Sequence, residues 1–211
     1  MKITKFGHCC LLIEDQGKRI LTDPGSYTAD QNTLTNLDLV LITHEHVDHL
    51  HLDSMVEIMK NNPTAKIVCN TAVAKILSSN GWQAVVLEGM TSIDLDGVSL
   101  EAHDAKHAEI FEEYGQVQNT GYLINHKLFY PGDALHNPNC EIEVLAFPTA
   151  GGWANIKESI NYVFDLKPKK CFPVHDGAFR STPFFYDVYK TYIPAKGIEL
   201  ILPEKGKGFE L

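Results

Sequence analysis

Short apolar runs bounded by polar turns dominate this 211-residue chain. Residues 8–14 (HCCLLIE) and 18–22 (KRILT) read as strands separated by a turn at Asp15-Gln16-Gly17. Residues 37–43 (LDLVLIT) read as a buried strand. Leu52, Met55, Val56 and Met59 recur at helical spacing and predict a helix over 52–60. Strand 65–69, helix 71–78 and strand 83–87 follow, with Asn80-Gly81 as the helix stop. The middle is β-rich. Asp96-Gly97 predicts a hairpin between 91–95 and 98–103, and Asn125-His126 one between 119–124 and 127–130. Strand 141–147, helix 155–166 stopping near Pro168, strand 170–174, a short helix around 183–190 and a closing strand over 197–202 complete the reading. Helices follow strands in both halves. That suits two sheets packed face to face with helices outside, although a doubly wound α/β sheet shows the same alternation.

Composition narrows the class. Hydrophobic residues make up 44% and charged residues 21%, which excludes intrinsic disorder. At about 150 residues per domain, the length favours one domain over 1–211. The net charge of −9 comes without a basic stripe, so no nucleic-acid partner is expected. No apolar run reaches the roughly 18 residues of a membrane span, and the first residues do not read as a signal peptide, so a cytoplasmic location is expected. The five cysteines form no CxxC pair and read as free thiols. Cys9 and Cys10 read as buried.

Ten histidines stand out, four of them between residues 44 and 51. Thr43-His44-Glu45-His46-Val47-Asp48-His49 follows a predicted buried strand and precedes a helix. In extended backbone His44 and His46 point to one side and can grip one ion. Asp48 and His49 lie beyond, where they can face a second. Imidazole and carboxylate together suit zinc, manganese or iron. The bland alternative is a run of surface histidines before a helix. Four further candidates each follow a strand: Asp23 in LTDP, His107 (with His103 competing) after strand 98–103, Asp133 in FYPGD and His175 in FPVHDG. Each taken alone is more often a solvated loop residue than a ligand. Together they suit strand ends that converge on one rim.

THEHVDH resembles the HxHxDH signature of the metallo-β-lactamase-fold hydrolases. LTDP, a later histidine, a strand ending in GD and one ending in histidine agree in order over nearly the whole chain. KFGHCCLLIE, KRILTDP, KHAEI, NTGYLI, FYPGD and FPVHDG are similar to the small cytoplasmic branch near the ascorbate-phosphate lactonases. The resemblance implies a four-layer αββα sandwich, with two central mixed sheets and helices outside. It implies His44, His46 and His107 on one divalent metal, Asp48, His49 and His175 on a second, and Asp133 bridging them. Asp48 and Asp133 would be catalytic, and a metal-bridging hydroxide would attack a small-molecule lactone, ester or phosphoester. Asp23 would orient a ligand imidazole. His8 matches a glycine–histidine pair of relatives and reads equally as near the substrate or as a packed structural histidine. Trp153, in a loop resembling a family alanine–proline–tryptophan segment, reads as pocket mouth or as core. Phe111 replaces a second histidine of the branch, which puts the substrate-facing loop in question.

The expected partner is a small molecule, which can be anionic, without membrane or nucleic acid. Homo-oligomerisation stays open. Competing readings are a metal-binding regulatory or scaffold protein that has lost turnover, and a phosphodiesterase or RNA-processing nuclease, which the charge disfavours. No GxSxG elbow is present.

Overall fold

The computed structural model describes residues 1–149, 151–179 and 181–211. The first sheet contains β1 (Lys2–Gly7), β2 (Cys10–Asp15), β3 (Lys18–Thr22), β4 (Leu39–Ile42), β5 (Lys66–Cys69) and β6 (Val85–Val86). The second contains β7 (Ser92–Leu95), β8 (Val98–Lys106), β9 (Gln118–Ile124), β10 (Leu128–Tyr130), β11 (Val144–Pro148), β12 (Lys170–Val174) and β13 (Glu199–Leu200). The last strand, β14 (Gly208–Glu210), returns to the first sheet and pairs with β1. The orders are β14-β1-β2-β3-β4-β5-β6 and β13-β12-β11-β10-β9-β8-β7. Both sheets are mixed: β3 to β6 run parallel, as do β10 to β13, while the remaining pairs are antiparallel.

Period-two alternation sorts the core into three layers. Leu39 and Leu41 of β4 point inward with Ile3, Leu11 and Ile13, against Leu100, Tyr122, Tyr130, Ala146 and Phe172 of the opposite sheet. Val40 and Ile42 point outward and pack under helices α1 (Leu52–Asn61) and α2 (Thr71–Ser79), through Met55, Ile58, Val73 and Leu77. On the far side, Leu145, Phe147 and Cys171 pack under α3 (Ile156–Leu166) and α4 (Pro183–Tyr192), through Ile160, Val163 and Tyr189. The expected four-layer sandwich is therefore the fold, and the doubly wound alternative falls.

Two elements differ from those the sequence predicts. β1 carries no apolar run that would predict it, and the strand predicted to start at residue 8 begins at Cys10, because His8 and Cys9 form the turn between β1 and β2. The chain closes with β14 and not with the strand expected over 197–202, of which Glu199–Leu200 forms. β14 is three residues in a glycine- and lysine-rich tail, and its partner β1 (KITKFG) mixes two lysines and a threonine among its apolar residues. Neither carries an apolar run. Each is strand because it pairs, with Ile3 opposite Phe209 on the core side.

Candidate metal centre

Strands β3, β4, β8, β10 and β12 end on one rim of the sandwich, and the residues just beyond them converge there. This is where open α/β sheets hold their ligands. After β4 the chain runs through residues 43–45 without regular structure and turns at 46–49, where the His49 and Leu50 amides both donate to the His46 carbonyl. The turn brings Asp48 and His49 round to the side opposite His46. His51, the fourth clustered histidine, stands at the N-cap of α1 with its ring on Ser54 Oγ, outside the centre.

Two groups of ligand-type atoms result, each within 4.8 Å of one another: His44, His46 and His107, and Asp48, His49, Asp133 and His175. His107, and not His103, completes the first. Asp133 faces both. Its Oδ2 lies 3.3 Å from His107 Nε2, 3.9 Å from His44 Nε2 and 2.9 Å from His175 Nε2, while Oδ1 lies 3.2 Å from His49 Nε2. The positive φ of Gly132 lets the backbone turn here. A Cβ at that position would stand 2.2 Å from Asn119 Oδ1, the atom that accepts the Asp133 amide.

The imidazoles are set up as donors of lone pairs to the centre. His44 Nδ1 bonds Thr43 Oγ1 at 3.0 Å, His49 Nδ1 bonds Asp23 Oδ2 at 2.7 Å, and His107 Nδ1 bonds the Ala108 carbonyl at 2.7 Å. Each bond engages Nδ1 away from the centre and aims Nε2 into it, the nitrogen an ion would take. The Nε2 atoms of His44, His49 and His107 are buried without a hydrogen-bond partner, as is Asp133 Oδ1. Buried unsatisfied groups are rare and costly. Four of them converging from both sheets fit a divalent metal centre by donor chemistry and by placement.

Asp23 organises this from beneath. It is fully buried, and its oxygens accept from the Thr43 amide, Thr43 Oγ1, His49 Nδ1 and Tyr130 OH at 2.7 to 2.8 Å. Thr43, Asn119 and Tyr130 were not singled out by the sequence reading, and their positions beside His44, at the head of NTGYLI and in FYPGD were the available signal. Cys9 was also missed as a neighbour: with His8, His49 and His175 it forms a third buried group of ligand-type atoms within 4.8 Å. Burial pushes its thiol up, so it is protonated. The other cysteines are free as expected, with Cys140 exposed.

His8 is buried, and its Nε2 donates to Asp48 Oδ2 at 3.1 Å. Trp153 is half-buried, and its ring meets those of His107 and His175 edge-on at 5.7 and 5.2 Å, so it covers the centre from the rim and is not core. Ala150 of its loop lies outside the described residues. His103 points to the outer face of the second sheet, edge-on to Phe129 at 5.6 Å. Phe111 and Tyr114 are exposed on the loop after His107, and Gly115 of the same loop approaches the His46 ring.

The charges are strongly coupled. Burial disfavours charge on His44, and neighbouring His49 adds to this, so its pKa lies well below the usual range. Burial works against charge on His49 and His175 too, but Asp133 outweighs it and raises both. Burial raises Asp133, yet His175 and His49 overcome it and hold the carboxylate ionised. Asp48 is likewise held low, against burial, by hydrogen bonds from His175 and His8.

This geometry defines a candidate metal centre on a metallo-β-lactamase-type sandwich. The family profile described as a Beta-lactamase superfamily domain matches residues 2–175, and the chain belongs to that family. Protein Rv0786c of Mycobacterium tuberculosis is 33% identical over 180 residues, covering 83% of this chain and 84% of the relative. A UPF0173 metal-dependent hydrolase of Methanocaldococcus jannaschii is 24% identical over 226 residues, covering 99% and 100%. Among solved structures, Igni18, described as a novel metallo hydrolase from Ignicoccus hospitalis, superimposes with a TM-score of 0.78 at 23% identity, over 100% of this chain and 98% of that one. Among the described residues, no helix is long and apolar enough to cross a membrane.

Proposed function

We propose that this chain is a two-metal hydrolase that cleaves a lactone, ester or phosphoester bond of a small molecule. The observation that carries the reading is Asp133, whose carboxylate faces both groups of imidazoles at 2.9 to 3.9 Å. His44, His46 and His107 would hold one ion, and Asp48, His49 and His175 the other, with Asp133 shared. Zinc, manganese and iron all suit that set. Bound ions would supply an activated water and polarise the substrate oxygen under attack. The protein's own contribution is order. Asp23, Thr43 and the Ala108 carbonyl fix the orientation of three imidazoles before any ligand arrives. Asp48 is ionised and the most open of the carboxylates, so it orients the attacking water by accepting one of its protons in a hydrogen bond. Trp153 shields the centre from bulk water. The lactone arm of the reading follows the resemblance to the ascorbate-phosphate lactonases, and the relatives named metal-dependent hydrolases support hydrolysis in general.

The test compares hydrolysis of an aryl phosphodiester with that of a lactone or aryl ester, using manganese- and zinc-loaded protein. Preference for the lactone or ester supports the lactonase arm, and preference for the phosphodiester moves the chain to phosphodiester chemistry. Asp133→Ala is expected to abolish turnover with unchanged circular dichroism. Full activity in that variant, or failure of the wild type to take up about two ions per chain, would sink the reading.

A further inference from the structure

His8 stands in the turn between β1 and β2 and connects two loops that come from different sheets. Its carbonyl accepts the His175 amide at 3.1 Å, and its Nδ1 accepts the Gly177 amide at 3.0 Å. Its Nε2 lies 3.1 Å from Asp48 Oδ2, the oxygen that also faces His175 Nε2 at 3.6 Å and His49 Nε2 at 3.8 Å. Tyr27 stacks on the ring at 4.5 Å and closes it from solvent, leaving His8 2% exposed.

The hydrogen-bond directions follow from elementary chemistry. A backbone amide can only donate, so His8 Nδ1 must present its lone pair to Gly177. The neutral ring then carries its proton on Nε2. An ionised carboxylate can only accept, so Nε2–H donates to Asp48. The same atom cannot offer a lone pair to an ion, which removes His8 from the ligand set even though its ring lies beside those of His175 and His49.

We propose that His8 is a positioning residue, in which the chain Gly177 N–H to His8 to Asp48 fixes the carboxylate of Asp48 and ties the Asp48 loop of the first sheet to the His175 loop of the second. This rests on the two-metal reading and assigns the control of one ion, the one at Asp48, His49 and His175. Gly177 is part of the device. A Cβ there would meet His8 Cβ at 2.9 Å and Nδ1 at 3.1 Å, so a side chain at this position pushes the ring away. The partners that orient ligating groups are typically worth 10- to 100-fold in metal affinity, and about that loss is expected here.

The experiment titrates cobalt and zinc into metal-free wild type, His8→Ala, His8→Gln and Gly177→Ala. It reads the affinity of each ion by chelator competition, the stoichiometry by elemental analysis and the fold by circular dichroism. His8→Ala and Gly177→Ala should weaken one ion about 10- to 100-fold and leave the other within about twofold. His8→Gln, whose side-chain amide supplies a donor where Nε2–H stood, should restore most of the loss. Two ions bound by His8→Ala with wild-type affinities would overturn the proposal alone. Equal weakening of both ions, or a His8→Gln no better than His8→Ala, would reduce His8 to general support of the fold and would also overturn it. Should His8→Ala fail to fold, Gly177→Ala and His8→Gln decide by the same criteria. A wild type that takes up no ion overturns the two-metal reading together with this one.

Discussion

At the scale of single residues, the contest between His103 and His107 is decided by which way each strand end faces. His103 lies within β8, opposite Gly121, with its ring against Phe129 on the outer face. His107 lies just beyond the strand, where its amide still bonds the Val117 carbonyl, and its ring turns to the rim. His107→Ala should therefore lose one ion by elemental analysis, whereas His103→Ala should keep both. His103→Ala should lower stability by about 1–3 kcal/mol through the vacated space. Loss of metal in the His103 variant alone would reverse the assignment. The HxHxDH residues were legible because their spacing is itself the chemistry: two residues apart on extended chain, then a turn. Asp133 and His175 were legible only as members of an ordered series, since a carboxylate after a strand says nothing alone. Asn119 and Tyr130 were not legible, because a residue that orients another through a hydrogen bond, within the sheet for Asn119 and across the sandwich for Tyr130, leaves no local pattern.

Elements fix the distances between these residues through close backbone approaches. The loop after β3 crosses directly over the turn at 46–49, where Ser26 N–H bonds the Val47 carbonyl and His51 N–H the Pro24 carbonyl. Gly25 makes the crossing feasible: a Cβ there would fall 1.7 Å from the Asp48 carbonyl oxygen and 2.7 Å from the His49 nitrogen. Those are backbone atoms, so no rotamer change relieves the clash. Gly25→Ala should displace the Asp48–His49 turn, lower the melting temperature by several degrees and abolish uptake of the second ion. A variant with wild-type melting and two ions would show that the crossing is not required. The long buried strands and amphipathic helices were readable because apolar periodicity alone defines them, as in β4, where successive residues face two different cores. β1 and β14 were not, since their strand character comes from pairing: β1 lies between β2 and β14, and β14 closes the sheet edge on β1. The expected strand over 83–87 shrinks to Val85–Val86 for a related reason: it is an edge strand bonded only to β5.

Across the whole molecule, the centre is divided between the two sheets. The first contributes His44, His46, Asp48 and His49, and the second contributes His107, Asp133 and His175, so bound ions would clamp the sandwich across its core. An ion at a free concentration 100 times its dissociation constant adds about 2.7 kcal/mol to folding stability. In a chain of this length that corresponds to a rise of about 5–11 °C in melting temperature. The size of the rise should depend on pH, and the direction follows from the metal-free charges. Asp133 raises the pKa of His49 and His175 above the ordinary value near 6.5, against the effect of burial. Their protonation stabilises the metal-free fold fully below the unfolded value, and that contribution is lost as pH rises through the folded ones. An ion at the second position needs the same nitrogens deprotonated, so it competes with those protons at low pH and meets less competition as pH increases. The gap in melting temperature between metal-loaded and chelator-treated protein should therefore widen from about pH 6 to about pH 8. Asp133→Asn, which removes the charge that holds the protons, should flatten that dependence as well as shrink the gap. A gap that stays constant with pH in the wild type would mean that His49 and His175 are neutral in the metal-free fold, and that the ions displace no protons when they bind.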